Sequence, residues 1–179
     1  MTVCADSMKK SREIAFLGII SALSVVFLLF GSIVGALDIT MAIAASLLLF
    51  IANEELGKKS LMVYFATVII SLFVASFGNL LPSIEYAIFA IYPLLKPQIE
   101  KTPRPISYLL KSAYAVIGSC GSVLLMYFFL PALEGEKMLL LYLALFILVI
   151  VLFDLLLLRF KRYYQFRLRY QLKIDKFFK

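Results

Sequence analysis

The sequence predicts an all-α integral membrane protein, a single bundle of six transmembrane helices with both termini cytoplasmic. Three observations lead there. Apolar residues make up 63% of the 179-residue chain and charged residues 16%, against roughly 45–50% and about 25% in soluble proteins. Mean hydropathy is +0.99. All lysines and arginines but Lys137 fall at the termini or in every second connection between the apolar runs. A soluble globule of this size has too much surface for its volume to hide that composition, and disordered chains are polar and charge-rich.

Six spans are expected, at about 14–36, 39–52, 61–77, 84–95, 108–130 and 138–158. The first is longer than the roughly 7–15-residue core of a cleaved signal peptide, so it reads as a membrane helix. The second is short and closes on Asn53-Glu54-Glu55-Leu56-Gly57-Lys58-Lys59, a polar, glycine-containing turn. The third runs from that turn to Phe77. The fourth is also short and is bracketed by Pro82 and Pro93, which limit helix continuation at either end. The fifth and sixth have the roughly 20 apolar residues that a bilayer crossing takes. Residues 159–179 form a basic, aromatic juxtamembrane tail.

Charge sets the orientation. One side carries Lys9, Lys10, Arg12, Lys58, Lys59, Lys96, Lys101, Arg104, Lys111 and all the basic residues of the tail; the other carries only Lys137. The positive-inside rule makes the basic side cytoplasmic. In the tail, Arg159, Arg162, Arg167 and Arg169 alternate with Phe160, Tyr163, Phe166 and Tyr170. Anionic lipid headgroups are the expected partner there. A nucleic-acid reading needs a folded basic surface that 21 tethered residues do not supply.

Several chemistries are excluded. The chain has no His, which removes Ser-His-Asp and Cys-His catalysis and HExxH zinc sites. Cys4 and Cys120 lie too far apart in sequence to suggest a disulfide framework or CxxC site. There is no P-loop, GxSxG or GxGxxG. Glu54-Glu55 resembles the paired glutamates of CaaX-type intramembrane proteases, but those enzymes also need His. No enzyme activity, metal or cofactor is expected.

The expected outer face is acidic, with Asp38, Glu85, Glu134 and Glu136 against Lys137. An acidic mouth concentrates cations. Asp38, Asn79, Glu85, Tyr86 and Glu134 are the candidate substrate-binding residues. Plain loop solvation is the favoured account of Glu134 and Glu136, and helix capping accounts for Asp38 and Glu85 as well as ligand contact does. Asp154 lies within an apolar run near the cytoplasmic end of span six. Such an acid pairs with a base or faces the protein interior, and Lys111 or Arg159 is the expected structural partner. Ser11, Ala15, Gly18 and Ala22 make a stripe of small residues on span one, and Ser112, Ala115, Ser119 and Ser122 another on span five. Span two offers Ala42, Ala45 and Ser46. Such stripes allow close helix approach, within the bundle or against a partner.

The size, span count and first span Arg12-Glu13-Ile14-Ala15-Phe16-Leu17-Gly18-Ile19-Ile20-Ser21-Ala22 together resemble a substrate-binding (S) component of an energy-coupling-factor transporter. In that family an Ala-x-x-x-Ala motif on the first helix contacts the coupling subunit; Gly18 and Ala22 are the matching pair, with glycine in place of one alanine. The resemblance implies vitamin or micronutrient uptake across a bacterial cell membrane. It implies a small-molecule ligand taken from outside beneath the outer loops; the acidic outer face separately points to a neutral or cationic one. It also implies docking through Ala15, Gly18 and Ala22 onto a transmembrane coupling subunit driven by two cytoplasmic ATPases. The nickel- and cobalt-type members use an N-terminal His site and do not fit. The alternative is a non-transporting six-span scaffold, similar to the small membrane subunit of the rod-shape cell-envelope machinery.

Overall fold

The computed structural model describes residues 2–75, 78–129 and 136–171. The described chain is helical: α1 (Thr2–Ile33), α2 (Asp38–Leu56), α3 (Ser60–Ala75), α4 (Leu81–Phe89), α5 (Ile91–Ile99), α6 (Arg104–Phe129), α7 (Glu136–Tyr163) and a last short turn α8 (Arg169–Gln171). No strand occurs among the described residues.

Among the described residues, four stretches are long and apolar enough to cross a membrane: Lys10–Ile33, Gly35–Val74, Arg104–Leu125 and Leu140–Gln171. The second spans two helices. Forty residues of straight helix would run about 60 Å, twice a bilayer's hydrocarbon thickness. Gly57 breaks the run, at φ +54° and ψ −125°, a conformation that side chains with a Cβ avoid. α2 and α3 then both pack along α1. Glu13 pairs with Lys59 and Ser21 bonds Thr67 at 3.1 Å. Both pairs span the same separation, 46 residues, so α1 and α3 run parallel with α2 returning between them.

The expected fourth span is two nine-residue helices, neither long enough to cross alone. Proline is the reason. Pro93 has no N–H for the carbonyl of Phe89, and its ring crowds that carbonyl, so the helix breaks at Ala90. Pro97 likewise leaves the carbonyl of Pro93 without its helical donor. Neighbouring helices supply donors to Pro93 O and to carbonyls beside the break, as broken helices in membranes require. Asn53 Nδ2 of α2 donates to Pro93 O at 3.0 Å. The hydroxyls of Tyr64 on α3 and Tyr114 on α6 donate to Ala87 O and Ile88 O, at 3.0 and 2.5 Å.

The distribution of polarity is the reverse of a soluble protein's. Ile14, Ile33, Met62, Phe73, Leu109 and Ile117 are exposed, whereas Ser24, Ser46, Thr67, Ser83, Glu85, Lys96 and Ser119 are buried. An apolar outer surface of this extent suits lipid as the surrounding solvent. Buried Ser46, Ser119 and Ser122 bond carbonyls of their own helices, at 2.8, 2.6 and 2.9 Å.

Residues 159–171 do not form a separate tail. α7 continues through Tyr163 into a wider turn, Tyr164–Leu168. Lys161 contacts Glu54 and Glu100 at 3.5 and 3.4 Å, and Arg169 contacts Glu55 at 3.2 Å. Buried Tyr164 also donates to Glu55, at 2.7 Å. The glutamates that end α2 therefore hold this segment against the bundle.

Candidate functional site

The two ends of the bundle carry different polar clusters. At the end where α1 meets α2 and α4, small residues bring backbones together. A Cβ on Gly31 would lie 3.2 Å from Met41 and Pro82, and one on Gly78 2.9 Å from Ser32 Oγ. Ser32 Oγ accepts from the Asn79 backbone N–H at 3.2 Å. Asn79 Oδ1 accepts from Leu81 N at 3.0 Å, and its Nδ2 donates to Asp38 Oδ2 at 3.0 Å. Asn79 thus ties the start of α4 to the start of α2.

Asp38 and Asn79, two of the candidate binding residues, are in direct contact. Asp38 lies in the first turn of α2, after Leu37 at the N-cap, where a negative charge also suits the helix N-terminus. Its second oxygen is buried without a partner among the described residues. Glu85 is no cap. It lies in the second turn of α4, 3% exposed, and neither carboxyl oxygen has a hydrogen-bond partner among the described residues. It borders a cavity of about 10 Å³ between α4, α6 and α7. Tyr86 is fully buried and faces another way, its ring stacked on Tyr64 at 6.3 Å. Adjacent positions on a helix point about 100° apart, which separates these two side chains. Glu134 lies outside the described residues.

Near the other end Asp154 is the hub. Lys111 Nζ lies 3.0 Å from its Oδ2, the expected pair. Lys96 Nζ lies 2.5 Å from Oδ1 and also donates to the Asp154 backbone carbonyl at 3.1 Å. Tyr92 donates to Oδ1 at 2.6 Å. Lys96 is 1% exposed. The cluster joins α5, α6 and α7. Arg159 takes no part; it lines an apolar groove with Arg162, Tyr163, Leu152 and Leu155. Lys96 and Tyr92 were not foreseen, because Lys96 reads as a loop charge next to a proline. Their spacing of four, which puts both on one helical face, is the available signal.

The small-residue stripes divide. Ala42, Ala45 and Ser46 are buried within the bundle, as are Ala115, Ser119 and Ser122. Ala15, Gly18 and Ala22 are exposed. A Cβ on Gly18 would meet nothing within 4 Å. Gly18 and Ala22 line an open apolar groove of about 580 Å³ between α1 and α3, with Met62, Val63 and Ala66 opposite. Among the described residues no group of three His, Cys, Asp or Glu side chains could hold a metal ion.

No family model, curated protein or solved structure matches the chain.

Proposed function

We propose that the chain is a solute-capture subunit of the energy-coupling-factor type, crossing a bacterial cell membrane six times with both termini in the cytoplasm. One observation carries this reading. Gly18 and Ala22 line an open apolar groove and Ala15 is exposed, although small faces on α2 and α6 are spent on internal packing. A face that lets backbones approach closely serves a helix from another subunit, here the coupling subunit with its two cytoplasmic ATPases. The solute would be taken from the side where Asp38, Asn79 and Glu85 lie, with Tyr86 and Glu134 as further candidates. The acidic character of that side favours a neutral or cationic small molecule. The arginines beside the α7 groove, Arg159 and Arg162, would take anionic lipid headgroups.

The test is a series changing Ala15, Gly18 and Ala22 to Leu. Uptake and co-purification of ATPases should be lost, with solute binding retained; unchanged co-purification would remove the docking role. One observation favours the scaffold reading instead. The cavity beside Glu85, about 10 Å³, has room for little more than one water. Envelope-synthesis proteins recovered through the same groove, with no small molecule retained in native mass spectrometry, would establish the scaffold.

A further inference from the structure

The Glu85 carboxyl is the group that the helix packing leaves unexplained. It is 3% exposed, and neither oxygen has a donor among the described residues. The cavity beside it is lined by Leu81, Ile84, Ile88, Leu125, Phe146 and one hydroxyl, Ser122. That hydroxyl is committed to Gly118 O at 2.9 Å. Each neighbouring helix can be asked for a counter-charge. α2 offers Asp38, a second acid whose charge acts on Glu85 with the same sign. α3 and α6 offer Tyr64 and Tyr114, whose hydroxyls are engaged with α4 carbonyls. Among the described side chains, α5 turns Tyr92 and Lys96 to Asp154, α7 presents Phe146, and α1 brings uncharged Ser32 to the start of α4.

An isolated carboxylate does not persist as an anion in such surroundings. A metal cation would need a shell of several oxygens, and beyond Glu85 itself the lining is hydrocarbon and one engaged hydroxyl. We propose that Glu85 is a proton-binding site: its carboxyl carries one proton while α4 is packed against α6 and α7. This inference is independent of which solute, if any, the protein carries.

Infrared spectroscopy of the full chain in nanodiscs at neutral pH tests it. The expected spectrum contains the carbonyl stretch of a protonated carboxylic acid. The band shifts when the chain is made with ¹³C-carboxyl glutamate, disappears in Glu85→Gln and survives in Asp38→Asn. If Glu85→Gln fails to fold, the isotope shift assigns the band, and Glu85→Asp should move it out of the glutamate-labelled set. Absence of the band, its indifference to glutamate labelling, or its persistence in Glu85→Gln overturns the proposal. So does loss of the band when sodium chloride replaces choline chloride at fixed pH, which would assign the cavity to a metal cation.

Discussion

The two ends of the bundle treat their acids in opposite ways. Around Asp154, Glu54, Glu55 and Glu100 each carboxylate meets lysine or arginine, and Asp154 meets two lysines and a tyrosine. Around Asp38 and Glu85 the described partners amount to one asparagine. Paired charges hold helices in one arrangement; unpaired buried acids give an arrangement that costs free energy and so can be left. The first end is cross-braced between helices by charge pairs, and the second is not.

The largest test of that contrast is Asp154→Ala, which leaves Lys96 buried beside Lys111 with no counter-charge. Breaking such a pair costs about 3–5 kcal/mol, measurable by steric-trap unfolding in bicelles. Combining it with Lys96→Met should cost less than the sum of the single changes, because the two residues share one interaction. Additive losses would remove Asp154 as the hub.

Gly57→Ala comes next. Its backbone conformation is strained for any residue with a Cβ, at about 1–3 kcal/mol, so the same unfolding assay should register a loss in that range. No effect would mean that α2 and α3 are joined less tightly than at φ +54°.

Much of this was legible in the sequence. Helix positions follow from the apolar runs, and Asp154–Lys111 from the rule that intramembrane acids seek bases. The broken fourth leg was only half legible. Pro93 announces a break, but the sequence does not say which side chains satisfy the freed carbonyls. Those donors, Asn53, Tyr64 and Tyr114, come from 40, 23 and 26 residues away. The segment after Leu158 misled for a related reason. Its charges suggest a lipid-facing tail, yet Glu54 and Glu55, over a hundred residues earlier, take part of that charge.

Asn53→Ala should cost about 1–3 kcal/mol, because it removes two partly buried hydrogen bonds, the one to Pro93 O and the one from the Ser60 hydroxyl. Thermal unfolding in detergent would detect it, and a null result would mean that water replaces the amide. The smallest effect belongs to Arg169→Ala. This half-exposed pair is worth about 0.2–1 kcal/mol and fades with added salt; a salt-independent loss would point to packing by the Arg169 stem instead.

The most direct test sets the two ends against each other: unfolding free energies of Asp154→Asn and Glu85→Gln, measured side by side in the same bilayer mimic. Neutralising Asp154 should destabilise the protein strongly, while neutralising Glu85 should leave it as stable as the unsubstituted chain or more so. Equal losses at both positions would contradict the division into an end braced by charge pairs and an end that is not.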